Sequence, residues 1–181
     1  MKLTADTLLE DAMTAIPGAK RALFAKYHIG GCSSCAYHPG ETLAELCARN
    51  ENLPVGEVIE HLEKSAEQDA RILLEPVDLA ALLAGENPPE LLDVRTREEF
   101  EHVRIEGARL FTQELNQEVM GSWDKDRPVV YVDHKGDKAL DAAAFLIGHG
   151  YVAVRSLRGG IDAYSREVDS SLKRYRLEMD A

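Results

Sequence analysis

No segment of the 181-residue chain approaches the ~20 consecutive apolar residues of a membrane-spanning helix. The opening Met1-Lys2-Leu3-Thr4-Ala5-Asp6 also lacks the apolar run of a secretory leader, so the expected location is the cytoplasm. Basic residues are few: 21 Lys and Arg against 32 Asp and Glu leave a formal net charge of -11. That balance argues against a nucleic-acid partner, whose phosphates require clustered cations. Cysteine is scarce too, with three in the chain. Three thiols cannot all pair within one chain, and a reducing compartment keeps them free, so metal or redox chemistry ranks above a structural disulfide. The chain has no internal repeat and no low-complexity tract. Its 45% hydrophobic and 29% charged residues describe a chain able to build a core.

The pattern changes near residue 71. Before it, apolar residues recur at helical spacing. Leu8, Leu9, Ala12, Met13 and Ile16 follow a candidate Thr7 cap, and Ala19, Ala22 and Leu23 continue after Pro17-Gly18. Thr42-x-x-Glu45 is a capping box for a short helix carrying Leu43, Leu46 and Cys47. Pro54 suits the first turn of a helix with Val55, Val58, Ile59 and Leu62 on one stripe. The charged run 63–71 is expected to be a solvated connector. Residues 1–66 therefore predict a small all-α bundle, 67–75 a linker, and 76–181 a second domain. In the second domain short β-branched runs such as 91–94, 129–132 and 152–157 alternate with helical stretches. This predicts an α/β fold with a parallel sheet covered on both faces.

Cys32-Ser33-Ser34-Cys35 places two sulfurs where one tight turn can bring them onto a metal, and Cys47 follows in the next helix. Zinc takes four ligands, and His38 is the nearest candidate for the fourth. An iron–sulfur cluster on the same residues is the competing expectation, with His38, an exogenous ligand or a homodimer completing the set. A redox pair at Cys32 and Cys35 is a third. Cys47 shares a face with Leu43 and Leu46, so plain packing is an equal reading. His28 and His61 are expected at the surface.

Residues 3–65 also resemble a small helical domain, the N-terminal module of di-iron proteins that repair iron–sulfur clusters. The matching residues are Ile29-Gly30-Gly31-Cys32-Ser33-Ser34-Cys35, Glu41-Thr42-Leu43-Ala44-Glu45-Leu46-Cys47 and the helix around Val58-Ile59-Glu60-His61-Leu62. The resemblance implies a link to iron–sulfur chemistry. The di-iron-binding domain of those proteins has no counterpart here, so repair itself is not implied.

Four motifs in order give residues 76–175 a resemblance to the rhodanese domain, the three-layer α/β sulfurtransferase fold. They are Leu91-Leu92-Asp93-Val94-Arg95 with Glu98-Glu99-Phe100, then Ile105-Glu106-Gly107-Ala108-Arg109, then the Val129-Val130-Tyr131-Val132 strand, then Leu157-Arg158-Gly159-Gly160-Ile161-Asp162-Ala163-Tyr164. The first is similar to the family's first strand and acidic turn. In active members the loop after the third motif starts with a cysteine three residues before a glycine. Counting back from Gly136 puts Asp133 at that position. Successive amides in such a loop form an anion nest that stabilises a thiolate and its persulfide. A carboxylate fits the nest but cannot hold sulfane sulfur.

The loop residues Asp133, His134, Lys135, Gly136, Asp137 and Lys138 are accordingly candidates for anion or partner binding. Asp133 reads as a cap for the helix opening near Lys138, as part of a non-catalytic loop that docks a thiol-bearing partner, or as a ligand for a cation. Lys135 and Lys138 either offset Asp133 or attract an anionic partner. His134 is expected to be a surface loop histidine, Asp93 and Arg95 a structural pair, and Arg104 a residue facing the loop in place of the family's histidine. Three functions compete: a non-catalytic, pseudoenzyme-like accessory protein of sulfur or iron–sulfur metabolism, binding a protein or a small sulfur-containing anion; a sulfurtransferase with Cys32 or Cys35 as displaced nucleophile; and an interaction module with inert cysteines.

Overall fold

The computed structural model describes residues 2–30, 37–38 and 40–175. The chain divides into two compact units, Met1–Arg71 and Ile72–Ala181.

The first unit contains helices α1 (Leu9–Ala15), α2 (Ala19–Tyr27), α3 (Leu43–Arg49) and α4 (Val55–Ala70). Their apolar stripes meet in one core that includes Leu9, Leu23, Ile29, Leu43, Leu46, Cys47, Val58 and Leu62. The capping box of α3 is formed: Thr42 Oγ1 accepts from Glu45 N, and Glu45 Oε2 accepts from Thr42 N at 2.8 Å. Thr7 does not cap α1. Its hydroxyl accepts from Thr4 N at 2.9 Å, and the N-cap is Leu8, with Leu9 N donating to Glu41 O.

The expected connector at 67–75 is also different. Residues 63–70 continue α4, and 73–74 are already strand. The charges misled because the buried positions Val58, Leu62, Ser65 and Asp69 keep a helical period through the run. Asp69 is the last of them, held by Arg21 Nη2 at 2.7 Å.

The second unit is a three-layer α/β fold. Its strands are β1 (Leu73–Leu74), β2 (Glu90–Asp93), β3 (Arg109–Leu110), β4 (Val129–Val132) and β5 (Val154–Leu157). They form one sheet in the order β1-β5-β4-β2-β3, with every pairing parallel. The strand at 91–94 that resembles the family's first is thus the second strand of this unit along the chain. Helices α5 (Pro76–Leu83) and α9 (Gly160–Glu167) cover one face; α7 (Gln113–Ser122) and α8 (Asp137–Gly148) cover the other, while α6 (Arg97–His102) follows β2. Alternation along β4 explains its unbroken apolar character. Val129 and Tyr131 enter the core with α7 and α8, Val130 and Val132 the core with α5 and α9. Parallel strands also end on one edge, so the loops after β2, β4 and β5 gather there. That edge is where ligands meet open α/β sheets.

Candidate functional site

Asp133 follows directly after β4 and is 4% exposed. Its carboxylate points into its own loop. Oδ1 accepts from Gly136 N and Oδ2 from Lys138 N at 2.9 Å, with the amide of Ala139 adding to the same field. Gly136 occupies the N-cap of α8 and has no side chain to offer, so Asp133 supplies the acceptor from three residues upstream. Burial pushes the Asp133 carboxyl above its usual range, opposed by the amides of Gly136 and Lys138.

The loop is clamped by the start of α9. Ile161 N donates to Asp133 O at 2.9 Å and Asp162 N to His134 O at 3.2 Å. This approach requires glycine on both sides. Gly136 has φ +104°, and a Cβ there would meet Gly159 N at 3.0 Å. Gly160 has φ +59°, and a Cβ there would lie 2.5 Å from Asp133 O. The Gly-Gly motif is therefore the backbone contact that shapes the loop.

Beside the loop lies a cleft of about 550 Å³. Asp133, His134, Lys135, Asp137 and Lys138 form one wall; Arg95, Glu99, Asp162, Arg174 and Tyr175 form the other. The Lys135 and Lys138 ammoniums make no ion pair among the described residues, so the backbone alone satisfies Asp133. His134 is not a surface residue. It is 7% exposed, lies against the Tyr175 ring, and its Nδ1 has no hydrogen-bond partner among the described residues. Burial holds its imidazole below the ordinary histidine range.

Asp93 and Arg95 form the structural pair: Arg95 Nε and Nη2 reach Asp93 Oδ1 and Oδ2 at 2.9 and 2.6 Å, both side chains being buried. Arg104 does not face the loop; it is exposed, stacks on Phe100 at 5.2 Å and is absent from the cleft walls. Glu99 and Asp162 stand in the sequence motifs without being expected in a cleft, and Arg174 and Tyr175 were not expected there either. Glu99 also carried a local signal, the Thr96-x-x-Glu99 capping box that opens α6.

The thiols fare differently. Cys32 and Cys35 lie outside the described residues. Cys47 is 2% exposed inside the helical core, and burial raises its thiol above the usual range. A metal or cluster needs the thiolate, which that setting disfavours. His38 is exposed, and its backbone N donates to Glu41 Oε1 at 3.1 Å. Among the described residues no three His, Cys, Asp or Glu side chains converge as a metal site. His28 is exposed, whereas His61 is half-buried, its Nε2 3.0 Å from Ala22 O. No helix among the described residues is long and apolar enough to cross a membrane.

Comparison with known proteins agrees with this geometry. The Rhodanese-like domain family matches residues 75–167. Thiosulfate sulfurtransferase GlpE of Actinobacillus succinogenes is 37% identical over 76 residues, which cover 42% of this chain and 68% of that protein. The adenylyltransferase and sulfurtransferase UBA4 of Candida albicans is 29% identical over 115 residues, covering 59% of this chain and 26% of its own length. The solved structure of reduced CoADR-RHD from Bacillus anthracis shares the fold with a TM-score of 0.52 at 17% identity, over 90% of this chain and 27% of that one. The chain belongs to the Rhodanese-like domain family of sulfurtransferase-related proteins.

Proposed function

We propose that this protein is a non-catalytic member of the family that serves sulfur or iron–sulfur metabolism in the cytoplasm, with the Asp133 loop acting as a binding site. One observation carries the reading: the Asp133 carboxylate itself takes the amides of Gly136 and Lys138. In a persulfide site such amides stabilise the sulfur anion. Here they face a group that can neither attack a sulfane sulfur nor retain it. The cleft beside the loop accepts a protein segment or a small sulfur-containing molecule without forming a covalent bond to it.

Any covalent sulfur step or metal binding in this chain falls to Cys32 and Cys35. The core position of Cys47 argues against its service as ligand or nucleophile. Of the set Cys32, Cys35, Cys47 and His38, Cys47 is enclosed in the helical core and His38 is exposed, and no step is assigned to a zinc or cluster held there.

The test is thiosulfate:cyanide sulfur transfer by the full chain. The expected result is no turnover above the uncatalysed rate. Turnover that survives in a Cys32→Ser/Cys35→Ser variant would overturn the reading outright. Turnover that disappears in that variant would replace it with a displaced-nucleophile enzyme.

A further inference from the structure

Tyr175 reaches the cleft from beyond α9, and two charged groups hold its phenol together. Arg95 Nη1 donates to Tyr175 Oη at 2.8 Å, and Oη donates to Glu99 Oε1 at 2.7 Å. The ring lies 4.5 Å from the His134 imidazole, centroid to centroid, with a tilt of 42°. His102 meets it edge-on at 6.1 Å, and the Arg95 guanidinium carbon is 5.9 Å from the ring centre.

These partners are set in place without Tyr175. Arg95 is fixed by Asp93 and by a 2.7 Å bond from its Nη2 to Val103 O. Glu99 is fixed through its other oxygen, Oε2, which accepts from Thr96 N at 3.1 Å in the capping box of α6. His134 is held through its backbone, its O accepting from Asp162 N at 3.2 Å, and its Nδ1 is unpartnered among the described residues. A donor and an acceptor beside an aromatic face are complementary to a phenol, which both donates and accepts at one oxygen and presents a flat apolar ring. Tyr175 itself is tethered more lightly. Residues 173–175 lie outside any helix or strand, and the segment is held by the Arg174–Asp162 ion pair at 2.7 Å and the contacts of Tyr175.

We propose that Arg95, Glu99 and His134 form a phenol-binding slot at the mouth of the Asp133 loop cleft. Tyr175 fills it within this chain, and a para-hydroxyphenyl group from another molecule takes its place when Tyr175 withdraws. The inference rests on the cleft being a binding site and names the ligand class it accepts. A partner that presents a tyrosyl side chain competes with Tyr175 for the slot, whereas an aliphatic segment leaves Arg95 Nη1 and Glu99 Oε1 short of a partner.

The experiment uses the full chain carrying Tyr175→Ala, with folding checked by circular dichroism, and p-cresol as the probe. The His134 imidazole resonances report occupancy. Expected is a saturable shift in the variant with Kd near ~1 mM, the range open to so small a ligand. Binding should be at least ~10-fold weaker in the native chain, where Tyr175 competes, and ~10-fold weaker for toluene, which lacks the hydroxyl. No saturable shift in the folded variant, equal affinity for toluene, or equal affinity in the native chain would each overturn the slot. If Tyr175→Ala does not fold, Tyr175→Phe decides: p-cresol should still displace the substituted ring and shift His134, and a flat titration counts against the proposal. Sulfur transfer by the native chain would overturn the proposed function while leaving this titration unaffected, so the two failures are distinguishable.

Discussion

Asp133 and Cys47 are both buried, and their surroundings are opposite. Asp133 lies at the carboxyl end of a central parallel strand, where the amides of Gly136 and Lys138 converge on it. Cys47 lies on α3 among Leu43, Leu46 and other aliphatic side chains. One position has the machinery to stabilise an anion and lacks the sulfur. The other has the sulfur and lacks the machinery. Burial raises both groups, but the amides at Asp133 work against that rise, and at Cys47 desolvation acts without such opposition. At these two residues sulfur and nest are separate.

The sharpest way to break the contrast is to restore sulfur to the nest. Asp133→Cys should place a thiolate opposite the Gly136 and Lys138 amides. Thiosulfate:cyanide transfer should then rise at least ~10-fold above the native chain. A variant that folds and gives no gain would show that the cleft has lost more than its nucleophile.

The next largest effect tests whether the backbone clamp maintains the nest. Gly160→Ala forces a Cβ toward Asp133 O at a positive φ, and should cost about 3 kcal/mol in urea unfolding. A cost under ~1 kcal/mol would mean that the α9 start and the loop relax apart without penalty.

At the other position, Cys47→Ser puts a hydroxyl into an aliphatic core and should cost about 2 kcal/mol, against about 1 kcal/mol for Cys47→Ala. If serine proved the milder replacement, the surroundings of Cys47 would be polar and its role would need revising. In the native protein, mass mapping after alkylation should find Cys47 unmodified until the chain unfolds.

The smallest effect is a pH signature of opposite sign in two buried carboxylates. The hydrogen bonds from Arg49 hold Glu41 below the usual range. Its contribution to stability is therefore full above the unfolded value of about 4.3 and is lost as pH falls through the folded value. Asp133 is raised instead. Its ionisation weakens the native state progressively as pH rises from about 3.9 through the folded value. The stability advantage of the native chain over Glu41→Gln should thus grow with rising pH, and that over Asp133→Asn should shrink. Parallel pH profiles for the two variants would contradict the raised state of Asp133.

Much of the α/β unit was legible because parallel strands buried on both faces leave long β-branched runs, and because the segment around Gly159-Gly160 resembles the closing motif of the family. The place of Asp133 at the head of the loop was legible by counting back from Gly136. The true extent of α4 was not, because its charged residues conceal a stripe in which Ser65 and Asp69 take apolar places. The burial of His134 was also hidden. A histidine in a polar loop looks exposed until a distant chain segment is known to lie over it, and Tyr175 carries no local signal of doing so.

The sequence by itself determined which groups stand where: a carboxylate three residues before Gly136, and thiols confined to the first 47 residues. Those are facts of covalent identity, unaltered by folding. Only the tertiary structure decided that Asp133 consumes the loop amides, that the aliphatic core encloses Cys47, and that Tyr175 lies against Arg95, Glu99 and His134. Each depends on groups far apart along the chain or on the direction of backbone donors, and such directions exist only once the sheet and its covering helices have packed.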